Sequence, residues 1–171
     1  EKFILILGYS QITKKIILKA IEQGIRAVVV EKDHLKIEKL MLENFTPTVP
    51  VLNGDSYSVR VLEMAGLKKK NCKAIVSLFD DDALNLKVTL IAKTLNKNVK
   101  IAVKSKTSNQ TENLVDLDAD IIVNPFSIIS SEINIALTAP NIFKLEKWLY
   151  KIDDLSAPLR IFPKGLYIIC G

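Results

Sequence analysis

The chain has 171 residues and a mass of 19.1 kDa, which is enough for one ordinary domain with a hydrophobic core and part of a second. Hydrophobic residues make up 49% and charged residues 25%, a mixture that excludes disordered and low-complexity proteins. The apolar runs last only four or five residues, so the sequence predicts neither a transmembrane span nor a signal peptide within the chain.

The net charge of +5 does not by itself indicate a nucleic-acid partner. Only three of the 24 basic residues are arginine, and aromatic residues make up 6% of the chain. Arginine and aromatic side chains supply the usual phosphate and base contacts, so we expect no nucleic acid. The one dense basic run, Lys68-Lys69-Lys70, lies in a predicted turn and is interpreted as a solvated surface.

Cysteine and histidine usage excludes several kinds of site. Cys72 and Cys170 have no CxxC spacing, and His34 is the only histidine. We therefore expect no disulfide framework and no histidine-based metal site, and we interpret both cysteines as small hydrophobic residues in a reducing compartment.

Short apolar runs alternate with longer amphipathic segments along the first 123 residues. The runs predict six strands, at residues 3–7, 27–30, 48–52, 74–78, 100–103 and 121–123. The amphipathic segments predict helices at 12–23, 35–44, 56–65, 82–95 and 109–117, followed by two more at 126–138 and 141–151, with a break at Pro140. The third predicted strand is entered through Pro47 and Pro50, so it should be short or lie near a sheet edge.

This alternation predicts an α/β fold, a Rossmann-like, doubly wound parallel sheet of six strands in the order 3-2-1-4-5-6, with every strand buried on both faces. An eight-stranded barrel is excluded, because it needs about 250 residues. The helix at 141–151 carries the only Trp and is not needed to complete the sheet's cover. It either folds back on the sheet or docks on a partner.

In such a sheet, ligands bind beyond the carboxyl ends of the strands. Gly8-Tyr9-Ser10-Gln11 stands at the position of a dinucleotide fingerprint but has only the first of its three glycines. Glu31, at the end of the second strand, is either a solvated acid or the acceptor for both ribose hydroxyls of an adenosine. In the second case, NADP is less favoured than NAD or ATP.

Other polar residues follow the third, fourth and fifth strands. Asp55 would cap the next helix or reach an adenine edge, and Lys104 would face a phosphate or pair with nearby acids. The run Asp80-Asp81-Asp82 is interpreted as helix capping by Asp81 or Asp82 in preference to a cation site. The candidate cofactor-binding residues are Gly8, Tyr9, Ser10, Gln11, Glu31, Lys32, Asp55, Asp80 and Lys104.

No catalytic constellation is recognisable in the sequence. It contains no nucleophile elbow, no Walker loop and no cysteine–histidine or carboxylate–histidine pair. The sequence therefore predicts a binding domain that is not an enzyme and has no catalytic or metal residues. The alternative is a fragment of an NAD-dependent oxidoreductase.

Several motifs occur together in order: a Gly8 loop, Val28-Val29-Val30-Glu31, Gly54-Asp55, the Ala-Gly-Leu of 65–67 and the Asp-Asp-Asp-Ala-Leu-Asn of 80–85. Over about residues 2–140 this set resembles the TrkA-N, or RCK (regulator of potassium conductance), domain. The resemblance implies a regulatory, ligand-sensing module on the cytoplasmic face of the cell membrane, attached to the pore of a potassium channel or potassium uptake protein.

The resemblance also implies partners and ligands. Such domains form homodimers or higher rings, here through the segment from Phe126 to Tyr150, which would hold the crossover or dimerisation helices. Family members that bind NAD carry a three-glycine loop, which this chain lacks. The cofactor is therefore NAD, another adenine nucleotide (ATP, ADP or AMP), or none.

Domain boundaries are expected near residues 140 and 152. Residues 1–140 would form the TrkA-N domain and 141–152 a crossover or docking helix. Residues 153–171 would be a linker and the first strand of a truncated second repeat, because the run before Gly171 echoes the run before Gly8. We expect membrane spans before Glu1 and a second α/β unit after Gly171 in the intact protein.

Overall fold

The computed structural model describes residues 1–149, which fall into one compact unit at 1–124 and a second that begins at Pro125. The predictions for the last residues, including the linker, the repeated strand and Cys170, lie outside the described residues. The boundary expected at residue 140 stays a prediction.

The first unit is a six-stranded parallel sheet in the order β3-β2-β1-β4-β5-β6, which confirms the predicted fold. Its strands are β1 Phe3–Leu7, β2 Arg26–Glu31, β3 Val51–Asn53, β4 Cys72–Ser77, β5 Lys100–Lys104 and β6 Ile121–Val123. The helices between them are α1 Gln11–Glu22, α2 His34–Met41, α3 Val59–Met64, α4 Asp82–Leu95 and α5 Ser108–Asp116.

The central strand β1 shows why the sheet needs helices on both faces. Leu5 and Leu7 join one buried cluster with residues of α3, α4 and α5, whereas Ile6 joins another with residues of α1 and α2. All three side chains are at most 1% exposed. Alternate residues of a strand point to opposite faces, so an uninterrupted apolar run has to be covered twice.

The edge strands correct one prediction. The expectation that every strand is buried on both faces is wrong for β3 and β6, and Ile121 of β6 is 59% exposed. Both strands have a single neighbour and only three residues. The third strand begins at Val51, later than predicted, because Pro50 has no N–H to donate to a ladder.

Helix caps decide where the helices begin. Asp81 accepts a hydrogen bond from the N–H of Leu84 at 3.0 Å and caps α4, as predicted. The capping role considered for Asp55 is wrong, because Ser58 caps α3 by accepting from Val61 N–H at 3.4 Å. Helix α3 consequently starts three residues later than the predicted start at 56.

The second unit contains α6, Pro125–Thr138, and α7, Pro140–Leu149. Pro140 separates them as predicted, yet it is itself the first residue of α7, where a missing N–H leaves no bond unmade. An ion pair of 2.8 Å between Lys147 and Glu132 joins the two helices. Within residues 1–149, no helix has the length and apolar character that crossing a membrane requires.

Candidate functional site

The candidate site lies at the carboxyl edge of the sheet, where β1 and β4 are neighbours and their connections leave in opposite directions. Gly8 follows β1 with a φ of +81° and donates its N–H to Val30 O at 2.8 Å. A Cβ on Gly8 would lie 2.8 Å from Cε1 of Phe79, which follows β4. Both the backbone conformation and the aromatic ring therefore require a glycine here.

Ser10 and Thr13 replace the other two glycines of the fingerprint and bond to each other. Ser10 N–H donates to Thr13 Oγ1 at 2.7 Å, and Thr13 N–H donates to Ser10 Oγ at 3.2 Å. This capping box uses two of the N–H groups at the start of α1. The N–H groups of Gln11 and Ile12 are the ones that remain in the first turn to face an anion.

Glu31 is 5% exposed and its carboxylate is held by three backbone N–H groups. Tyr9 donates to Oε2 at 2.8 Å, while Lys32 and Asp33 donate to Oε1 at 2.8 and 3.0 Å. Because a carboxylate has about four acceptor positions, about one is left for a ligand. Glu31 thus ties the glycine loop to the end of β2 and keeps a limited capacity to accept another hydrogen bond.

The side chain of Tyr9 does not belong to the site. It is 4% exposed, and its hydroxyl donates to Glu43 Oε1 at 3.0 Å; Glu43 is in turn paired with Lys14 at 2.7 Å. Burial, and secondarily the hydrogen bond to Glu43, raises the pKa of Tyr9 to about 12. Tyr9 therefore contributes only its N–H to the site, and its ring packs in the core.

The remaining four candidates form two ion pairs between neighbouring strand ends. Lys32 lies 3.3 Å from Asp55, and Lys104 lies 2.5 Å from Asp80. The side-chain hydrogen bond to Lys104 lowers the pKa of Asp80, and the one to Asp55 raises the pKa of Lys32. A ligand phosphate at either lysine would compete with a carboxylate.

Asn85 is the residue that sequence reasoning left without a role. It is fully buried, accepts from Ser77 Oγ at 2.8 Å and Phe79 N–H at 3.3 Å, and donates to the carbonyls of Phe79 and Lys104 at 2.9 and 3.0 Å. An amide one turn into an amphipathic helix, on its apolar side, was the available signal. Asn85 joins the ends of β4 and β5 to the first turn of α4.

The grooves of the fold and its possible metal ligands were also compared with the candidate residues. Grooves of about 550 and 610 Å³ lie between α4 and α5, and neither is lined by a candidate residue. Residues 1–149 hold no group of three or more side chains arranged to bind a metal ion. The carboxyl edge is thus an open polar cleft with backbone donors, one buried carboxylate and two lysine–carboxylate pairs.

Comparison with known proteins gives a family match and channel relatives. The sequence model of the TrkA-N domain matches residues 4–125. The chain is 29% identical over 129 residues to Potassium channel protein 1 of Methanocaldococcus jannaschii, and 30% identical over 133 residues to the Voltage-gated potassium channel Kch of Escherichia coli. Each match covers 75% of this chain but 38% and 30% of those proteins, so the chain spans about a third of their length.

Solved structures share the fold. The TrkA-N domain of the inner membrane protein ybaL from Escherichia coli superposes with a TM-score of 0.68 at 15% identity, over 77% of this chain and 93% of that one. The GsuK channel bound to NAD superposes with a TM-score of 0.65 at 21% identity, over 77% and 23%. At these identities the likeness establishes the architecture alone.

Proposed function

The chain belongs to the TrkA-N domain family, and from this premise we propose that it is the regulatory, ligand-sensing domain of a potassium channel or potassium transporter. The family match over residues 4–125 carries the proposal, and two relatives at 29% and 30% identity, named as potassium channel proteins, support it. In this proposal the domain senses a ligand without transforming it, and the family match favours that role over the alternative, a fragment of an NAD-dependent oxidoreductase.

The ligand we propose is an adenosine nucleotide bound at the carboxyl edge. Its phosphates would lie at the N–H groups of Gln11 and Ile12, where the start of α1 favours an anion. Its ribose would donate one hydrogen bond to Glu31, since three backbone groups already occupy the rest of that carboxylate. A 2′-phosphate is disfavoured there by its like charge, which argues for NAD, ATP, ADP or AMP over NADP.

The incomplete glycine loop sets the strength of this binding. Ser10 places a side chain where a fingerprint glycine would let the pyrophosphate approach, so the affinity is weaker than in a three-glycine site. Solved structures show GsuK bound to NAD and to ADP, and the Kef CTD of Shewanella denitrificans in an AMP-bound form. Those proteins share the fold of this chain and support the choice of adenosine compounds to test.

The partners we propose follow from the second unit and from the relatives. The segment from Phe126 to Tyr150 would pair two copies of the chain, because Ile129, Ile142 and Leu145 are 56%, 61% and 53% exposed. The other partner is the membrane-embedded potassium pore of the intact protein, which puts this domain at the cytoplasmic face. The domain divisions at residues 140 and 152 belong to the same proposal.

Thermal unfolding with added nucleotides tests the ligand. A ligand at a hundred times its dissociation constant stabilises the fold by about 2.7 kcal/mol. We expect NAD, ATP, ADP or AMP to raise the Tm. Glu31→Gln should weaken the binding of that ligand about tenfold. Ser10→Gly should tighten it, because the change removes the side chain that stands where the pyrophosphate would approach. The fold should be kept, since glycine costs little as a helix cap.

Glu38→Gln is the matched control, since Glu38 is an exposed acid on α2. Equal affinities of Glu31→Gln, Glu38→Gln and the unchanged chain would exclude the proposed cleft. Potassium flux through the full-length protein in proteoliposomes tests the regulatory role, and a flux that no variant or nucleotide alters would contradict it.

A further inference from the structure

Exposed lysines gather at the amino ends of three neighbouring strands, on the edge of the sheet opposite the candidate site. We call this group the lysine edge, and its members are Lys2, Lys68, Lys69, Lys70, Lys97 and Lys100. Strands β1, β4 and β5 are consecutive in the sheet, so their starting points lie within about 10 Å of one another. The sequence alone led us to interpret the dense part of this run as a solvated surface.

Hydrogen bonds fix the three lysine-bearing segments to each other. Asn96, at the end of α4, donates its side-chain N–H to Leu67 O at 2.7 Å, which ties the turn holding Lys97 to the turn holding Lys68–Lys70. Asn71 donates to Glu1 O at 2.7 Å and accepts from Phe3 N–H at 3.0 Å, which ties the same turn to the segment holding Lys2. The segments that carry the lysine edge are therefore held in fixed positions relative to one another.

Most of these charges are not used inside the fold. Lys68 pairs with Glu63, and Lys100 pairs with Asp120 at 2.7 Å. In the part of the chain that the structure describes, Lys2, Lys69, Lys70 and Lys97 form no ion pair. Four unneutralised ammonium groups within roughly one to two Debye lengths of each other add up to a concentrated positive potential.

We propose that the lysine edge docks on an anionic lipid surface. Ammonium groups on flexible stems act as point charges that suit lipid phosphates and carboxylates without a fixed geometry. This partner rests on the proposed function, because a domain attached to a potassium pore stands beside a membrane. A nucleic acid fits less well, since Phe3, at the start of β1 beside these lysines, is 8% exposed and offers little ring surface for bases to stack on.

Vesicle flotation with the full 171-residue chain tests the proposal. The probes are phosphatidylcholine vesicles with and without about one third phosphatidylserine, at low and physiological salt. Each lysine near an anionic surface raises the partition coefficient about fivefold, so Lys69→Gln, Lys70→Gln and Lys97→Gln together should reduce binding on the order of 100-fold. The matched control combines Lys15→Gln, Lys36→Gln and Lys39→Gln, which removes the same charge from exposed positions on α1 and α2.

We expect binding that requires phosphatidylserine, falls with salt and is lost in the lysine-edge variant but not in the control. Equal binding by the two variants, binding independent of phosphatidylserine, or tighter binding to single-stranded RNA than to the vesicles would overturn the proposal. Circular dichroism of both variants checks that the fold is kept. Since flotation needs no nucleotide, its failure would leave the ligand-sensing proposal standing, and the absence of a nucleotide response would leave the lipid result standing.

Discussion

The two halves of the carboxyl edge are each organised by one buried polar side chain, and the two side chains differ in kind. Glu31 holds the β1–β2 half as a charged acceptor of three N–H groups. Asn85 holds the β4–β5 half as a neutral amide that both donates and accepts, in four hydrogen bonds. The halves meet along the paired strands β1 and β4, and beyond the strand ends the Phe79 ring lies against Gly8.

The Glu31 half of the edge can therefore still accept a hydrogen bond from a ligand, whereas the polar groups of Asn85 are all used within the fold. The carboxylate of Glu31 keeps about one acceptor position, which is open to a hydrogen-bond donor of a ligand. The amide of Asn85 has no such reserve, because its donors and acceptor are all engaged within the protein. We therefore expect substitutions on the Asn85 side to act on stability and those on the Glu31 side to act on binding as well.

The largest effect is expected from Asn85→Ala. The change leaves the Phe79 N–H, two carbonyls and the Ser77 hydroxyl without their partner in a buried place, so the free energy of unfolding should fall by about 3–5 kcal/mol. Urea unfolding measures it. Asn109→Ala, at an exposed position of α5, is the control and should change stability by less than about 0.5 kcal/mol. Equal losses would mean that Asn85 does not brace the two strand ends.

Gly8→Ala should act through the contact between the halves. The positive φ costs about 1–2 kcal/mol and the approach to Phe79 adds to it, for a total of about 2–4 kcal/mol. Gly24→Ala isolates the first contribution, because Gly24 also has a positive φ, +69°, but nothing within 4 Å of its Cβ position. In a Phe79→Ala background, Gly8→Ala should cost no more than Gly24→Ala. A cost that is independent of Phe79 would show that the ring does not press on the loop.

Glu31→Gln should lower the free energy of unfolding by about 1–3 kcal/mol, because an amide offers one acceptor oxygen where the carboxylate offers two. The loss should be smaller than for Asn85→Ala, and hydrogen exchange at the N–H groups of Tyr9, Lys32 and Asp33 should speed up. The measurement is urea unfolding combined with amide exchange, and Glu38→Gln serves again as the neutral comparison. If the exchange rates at those three N–H groups do not change, Glu31 does not hold the glycine loop to the end of β2.

The smallest effect concerns Asp80, whose pKa the Lys104 ammonium holds below its usual range. A depressed carboxyl pKa contributes stability above the unfolded value near about 4, and that contribution is lost as the pH falls through the lowered native value. Carbon NMR of the carboxyl groups should show Asp80 titrating low, and Lys104→Met should return it towards the ordinary value. Lys93→Met, beside Asp120, should leave Asp80 unchanged.

The arrangement of the first unit was predictable because its signals are local. Buried parallel strands are short runs of apolar residues, and Gly8 and Asp81 are recognisable turn and helix-end residues. The edge strands were predicted less well, since the exposure of Ile121 depends on where β6 lies in the sheet and not on its composition. Thr48 and Val49 have strand composition but precede Pro50, and the strand starts after it.

The gathering of the candidate residues at the carboxyl edge was predictable, and their contacts were much less so. The rule that ligands bind beyond the strand ends selected Glu31 and Asp80. The sequence does not reveal that backbone N–H groups occupy most of the acceptor positions of the Glu31 carboxylate. It also does not say that Ser10 and Thr13 bond to each other or that Tyr9 turns into the core. The role of Asn85 was harder to predict, because three of its four hydrogen bonds are to backbone groups of residues 79 and 104, which leave no mark in the sequence.

The hydrogen bonds of Asn85 fix only one end of helix α4. Helix α4 has 14 residues and is about 21 Å long. Its first turn is hydrogen-bonded to the ends of β4 and β5, and its last turn leads to Lys97. A rotation of α4 by about 5° about its Asn85 end would move its other end by about 2 Å. The length of α4 thus sets the displacement that a given rotation at the carboxyl edge would produce at the lysine edge.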